Sequence, residues 1–242
     1  MYHPFSVAET IKTSWDIFKK NFITIIVYSA IAFVLLSILT GVIQFIFAPE
    51  EFAGKMVVAF LLILVQAYTT LGLYKLIFTL IDSEYYEFEF SQVLPGFKMV
   101  MSYLVVVFII AFIVTNLTII VDKLEEYEDV QFAVEVLAGF TGLYLALRGM
   151  FFNTFIVDDA SGPIESLKQS FQLTKGYIFK VITILIVILF FIALPAIAAQ
   201  YYPLISLTIL FTYPFVNIIL AVTYRKLVYS HLDVDDDIAE TT

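Results

Sequence analysis

The chain contains no cysteine, and its two histidines, His3 and His231, lie near its ends. Without cysteine there is no disulfide, no thiolate nucleophile and no cysteine metal site. With no histidine in the apolar segments, an imidazole general base or metal ligand at membrane depth is also excluded. Charge is scarce: ionisable Asp, Glu, Lys and Arg make up 14% of the 242 residues, against 61% apolar, about half the charge of an average soluble domain. The N-terminus lacks a basic n-region and precedes an apolar run too long for a signal-peptide core, so the first span reads as retained.

Long apolar runs fill this gap in charge. Six are long enough to cross a bilayer: Phe22 to Ala48, Met56 to Ile81, Met99 to Val121, Phe132 to Val157, Tyr177 to Gln200 and Leu204 to Ser230. Each exceeds the roughly 20 residues needed to cover about 30 Å of hydrocarbon. The expected fold is an all-α membrane protein with a single six-span domain over residues 1–230 and an acidic tail over 231–242. The net charge of −9 draws on that tail and on acidic loops, which argues against nucleic acid as a partner.

The basic residues orient the chain. Near the span ends on the side of both termini stand Lys12, Lys19, Lys20, Lys98, Lys168, Lys175, Lys180, Arg225 and Lys226, opposed only by Lys55 and Lys123. Basic residues resist translocation. The expectation is a multi-pass protein of the cell (plasma) membrane with both termini cytoplasmic.

A repeat lies beneath the spans. Glu9, Lys12, Ser14 and Lys19 recur as Glu165, Lys168, Ser170 and Lys175, an offset of 156 residues, while Trp15 meets Phe171. A degraded middle copy starts at Glu87 and runs to Lys98. This predicts three parallel hairpin repeats (approximately 5–81, 87–157 and 161–230), each preceded by a short amphipathic helix, around a pseudo-threefold axis. In the first such helix, Ser6 and Glu9 form a capping box, and Val7, Ile11, Trp15 and Phe18 line one face. Its counterpart starts at Ser161, has Pro163 in its first turn, lines Ile164, Leu167 and Phe171 on one face, and ends at Gly176. Trp15, Phe18, Leu167 and Phe171 are the candidate interfacial residues.

The stretch from Asp158 to Gly176, with Phe5-Ser6, Ser14-Trp15 and Phe18-Lys19-Lys20-Asn21-Phe22, resembles the YciC-like family of bacterial and archaeal membrane proteins. That family is similar to the membrane domain of some glycerophosphodiester phosphodiesterases. The resemblance implies a six-span fold without a defined activity. The catalytic barrel of the fused enzymes has no counterpart in this sequence, so the resemblance does not imply hydrolysis.

Ionisable residues inside spans are the functional pointers, since each costs about 2.5–3.5 kcal/mol on insertion scales. Arg148 lies ten residues before Asp158, about 15 Å along a continuous helix. Lys75 precedes Asp82, and Arg225 precedes Asp233. Three repeats then offer three converging cations, Arg148, Lys75 and Arg225, suited to an anionic head group; snorkelling is the competing reading for Lys75 and Arg225. Ala138, Gly142, Ala146 and Gly149 form a small-residue stripe that would seat a neighbouring helix. Glu135 reads as interfacial. Gln44, Gln66, Asn116, Asn153 and Asn217 read as interhelical hydrogen-bond partners, and Pro195 and Pro214 as kink sites.

No paired acids, nucleotide motif, cofactor motif or metal cluster stands at membrane depth, so an enzyme is not expected. The expected function is non-catalytic: binding or organising an anionic lipid or amphiphile. The alternative is a transporter or an export/immunity component for a small or amphiphilic substrate. Membrane lipids are the expected partners, with a second copy of the chain or another membrane protein left open.

Overall fold

The computed structural model describes residues 5–47, 51–82 and 93–240, with side chains through residue 230. Among the described residues the secondary structure is helical: α1 (Val7–Lys20), α2 (Phe22–Phe47), α3 (Phe52–Asp82), α4 (Phe97–Asp122), α5 (Glu128–Gly149), α6 (Phe152–Asp158), α7 (Pro163–Leu173), α8 (Ile178–Tyr201), a 3₁₀ turn (Pro203–Thr208) and α9 (Ile209–Glu240). Six segments are long and apolar enough to span a membrane: Phe22–Phe47, Phe52–Asp82, Phe97–Asp122, Glu128–Asp158, Ile178–Tyr201 and Pro203–Ser230. Hydrocarbon offers no water to backbone amides, so long Ile-, Leu-, Val- and Phe-rich runs must satisfy their own hydrogen bonds, and the helix does so within one segment.

Polar side chains in these spans largely follow the same economy. The Asn116 and Asn217 amides donate to the carbonyls of Phe112 (2.7 Å) and Tyr213 (2.8 Å), four residues back on their own helices. This corrects the expected interhelical role, because a carbonyl one turn away is always within reach.

α3, α6 and α9 meet at the centre, and α2, α4 and α8 pack around them. The main core draws on α3, α6, α8 and α9, with Leu76, Ile77, Phe151, Ile184, Ile218, Ile219 and Leu227 all fully buried. In lipid such burial yields little hydrophobic free energy, so close van der Waals packing holds the helices together. That packing is concentrated at the end of the bundle carrying α1 and α7. Toward the other end the fourth span separates from its neighbours, and Leu147 is the single buried residue of α5. Among the described residues no helix seats on the expected small-residue stripe at Gly142 and Ala146, which are exposed with open space around Gly142, while Gly149 meets α7.

The fourth span is also interrupted. α5 ends at Gly149 and α6 begins at Phe152, so the 15 Å of continuous rise expected between Arg148 and Asp158 does not apply. Pro195 and Pro214, in contrast, lie inside unbroken helices.

Both short helices turn a hydroxyl-bearing face inward. In α1 the buried residues are Thr10, Ser14 and Phe18, while Trp15 is 52% exposed. In α7 they are Ser166, Ser170 and Leu173, while Ile164 is 62% exposed. Small hydroxyl side chains let helices approach closely and return their protons to local carbonyls: Thr10 to Ser6 O, Ser14 to Thr10 O, Ser166 to Pro163 O. Ser6 makes no side-chain cap bond. The expected capping box is absent because Glu9 reaches Lys226 Nζ instead, at 3.0 Å. The C-terminal signal of the second helix does hold, as Gly176 has φ +85°, a left-handed conformation that glycine adopts without steric cost. The middle amphipathic element, Glu87 to Lys98, falls largely outside the described residues.

Candidate functional site

The C-terminal ends of α3 and α6 are tied to α9 by charge. Arg225 of α9 places Nη2 2.7 Å from Asp82 Oδ2 of α3 and 3.0 Å from Asp158 Oδ1 of α6. Asp158 Oδ2 accepts a further hydrogen bond from the Tyr224 hydroxyl at 2.9 Å, so both its oxygens are engaged. The Arg225 guanidinium also lies 5.0 Å from the Phe78 ring centroid. Asp82 is more than half exposed and Asp158 mostly covered, which makes Asp158 the stronger partner in the lower local dielectric. The adjacent Asp159 carboxyl is held above the usual carboxylate range by burial and by the neighbouring Asp158 charge, with Arg225 pulling the other way.

Arg148 sits in a different setting. It is the last residue but one of α5, and its guanidinium lies 5.5 Å from the centroid of the Phe171 ring of α7. Its Nε is buried with no hydrogen-bond partner. Its carbonyl accepts from Ser170 Oγ at 2.7 Å, and Ser170 Oγ in turn accepts from the Phe151 N–H at 3.1 Å. α7 therefore bridges the gap between α5 and α6. Leu167 and Phe171 pack on the same junction, with side-chain atoms 3.9 and 3.8 Å from where a Cβ at Gly149 would stand.

Lys75, the third candidate cation, donates to the Leu94 carbonyl at 2.8 Å, tying α3 to the segment before α4. Among the described residues Lys75, Arg148 and Arg225 share no acceptor. Arg225 is occupied by carboxylates, Lys75 by a backbone carbonyl, and Arg148 rests on an aromatic face.

The two interfacial candidates of α1 belong to an aromatic cluster with α2 and α9. Trp15 stacks on Phe18 with centroids 6.0 Å apart, and both meet Phe215 edge-on, at 5.7 and 5.4 Å. Sequence reasoning missed Lys180, which donates to the Phe5 carbonyl at 2.6 Å and fastens the start of α1 to α8. Its signal, a lone cation three residues into a span, was read only as topology.

A cavity of about 360 Å³ opens between α2, α3 and α9, lined by Tyr28, Ser29, Thr40, Gln66, Thr69, Thr70 and Tyr213 together with apolar side chains. Among the described residues no three His, Cys, Asp or Glu side chains group as metal ligands.

Six membrane-length helices, with the ion pairs among the described residues lying at one end of the bundle, define a multi-pass helical membrane protein. No family model matches the chain, and neither a curated protein nor a solved structure does.

Proposed function

We propose that this chain is a non-catalytic plasma-membrane protein, both termini cytoplasmic, that binds or organises an anionic lipid or amphiphile through Arg148. The observation that carries the reading is a donor without an acceptor: Nε of Arg148 is buried and unpaired while the guanidinium lies over the Phe171 ring, 5.5 Å from its centroid. A phosphate or carboxylate oxygen is the acceptor that a guanidinium fork accommodates best. Lys168, exposed on α7, adds charge of the same sign nearby in the chain. Arg225 and Lys75, already engaged, act in this reading as structural ties.

We further propose the threefold hairpin arrangement and kinship with the YciC-like family. Its support is cyclic: α1 packs on α9, α7 packs on α6, and Lys75 of α3 holds the segment preceding α4. Each leading element thus rests on the second span of the preceding unit.

The alternative, a transporter or export/immunity component, draws on one observation, the cavity between α2, α3 and α9. The two readings separate by lipid retention. In native mass spectrometry the purified wild type should carry anionic phospholipid, Arg148→Gln should lose it, and Arg148→Lys should keep part of it. Equal retention in all three would reject the binding role.

A further inference from the structure

The cavity between α2, α3 and α9 has a chemistry unlike that of the basic end. No Lys, Arg, Asp, Glu or His lines it; its polar groups are hydroxyls and the Gln66 carboxamide. Thr70 lies twelve residues before Asp82, about 18 Å of helix rise from the charged end. At that depth a charged head group would be left unpaired in hydrocarbon, a cost that a neutral one avoids.

The hydroxyls are arranged in two parts. Tyr28 donates to the Thr69 carbonyl at 3.0 Å and closes one end. It can lie there because residue 72 is glycine: a Cβ at Gly72 would collide with the Tyr28 hydroxyl. Beyond it, Thr70 Oγ1 and the Tyr213 hydroxyl are 3.2 Å apart and share one hydrogen bond. Two hydroxyls joined by one hydrogen bond hold two protons, so one proton and several lone pairs remain for a guest. Among the described residues, Thr40 and the Gln66 side chain make no hydrogen bond of their own. A guest hydroxyl, donor and acceptor at once, matches these groups. The volume is at the small end of the range for small-molecule sites, about 300–1,000 Å³. It accommodates a head group and the first part of a chain, the remainder lying in the bilayer.

We propose that this cavity is a binding site for a neutral, hydroxyl-bearing lipid of the diacylglycerol or long-chain alcohol type, separate from the anionic site at Arg148. Tyr213, Thr70 and Gln66 hold the head, and the apolar faces of α2 and α9 hold the chain.

The test uses the full-length protein in phosphatidylcholine micelles with labelled 1,2-dioleoylglycerol as the probe and phosphatidylglycerol as competitor. Wild type should bind the probe saturably and retain it against phosphatidylglycerol. Ala32→Trp, which fills the cavity, should lose binding by tenfold or more. Tyr213→Phe, which keeps the ring and removes one hydroxyl, should lose roughly threefold to tenfold, and it decides the matter if the tryptophan variant is not monodisperse. Arg148→Gln should bind the probe as wild type does, even if it has lost anionic lipid, so the two sites succeed or fail separately. No saturable binding by wild type, undiminished binding by Tyr213→Phe, or displacement of the probe by phosphatidylglycerol would overturn the proposal.

Discussion

Ser170 and Arg148 are joined by a 2.7 Å hydrogen bond from the Ser170 hydroxyl to the Arg148 carbonyl, and the same hydroxyl accepts the Phe151 N–H. One side chain of α7 therefore satisfies two of the backbone groups left open where the fourth span breaks. In a water-free setting such groups are costly to leave unpaired, so α7 is part of the fourth span's structure as well as its neighbour.

Ser170→Ala should destabilise the protein by about 1–3 kcal/mol, the cost of stranding a buried donor or acceptor. Ser14→Ala, at the position the repeat makes equivalent, should cost much less, since Ser14 only returns a proton to Thr10 O within its own helix. Thermal unfolding of both variants in detergent checks this; equal losses would deny the bridging role.

The Arg225 cluster should behave asymmetrically. Asp158→Asn removes a mostly covered carboxylate with two partners and should cost about 1.5–3 kcal/mol, whereas Asp82→Asn, more than half exposed, should cost under about 1 kcal/mol. In a double-mutant cycle with Arg225→Gln, coupling should be clear for Asp158 and small for Asp82. Matching couplings would show that solvent screening does not separate the two pairs.

The expected orientation is open to cysteine labelling without background, because the chain has no cysteine. Single cysteines at Glu51 and Glu125 should react with an impermeant reagent added outside, and one at Glu165 should not. The reverse pattern would place the basic end outside and contradict the cytoplasmic assignment.

The spans were legible because long uncharged runs admit one solution in lipid. The break at Met150–Phe151 was not legible, since what permits it is Ser170, a residue supplied by another helix. Asp82, Asp158 and Arg225 each stood out in the sequence. Their pairing did not, because the partners lie 143 and 67 residues apart and only the packing of α3, α6 and α9 unites them. The inner faces of α1 and α7, built on Thr10, Ser14, Ser166 and Ser170, were not legible for a general reason. Large apolar side chains dominate a sequence pattern, but in a bilayer they can face lipid while small hydroxyl residues make the helix contacts. Arg148 stands out in the sequence as an ionisable residue inside a span. Its place beside α7 follows from the same unseen break.

The central claim, an anionic lipid held by Arg148, is tested most directly by lipid-dependent stabilisation. A ligand that binds only the folded state raises stability in proportion to the logarithm of its occupancy ratio. Titration of phosphatidylglycerol into the purified protein should raise Tm of the wild type above the level reached with phosphatidylcholine. Arg148→Gln should require more than tenfold higher phosphatidylglycerol for the same rise, from the loss of a charge-assisted hydrogen bond. Superimposable titrations for the two proteins would contradict the claim and leave Arg148 a structural residue at the α5–α7 junction.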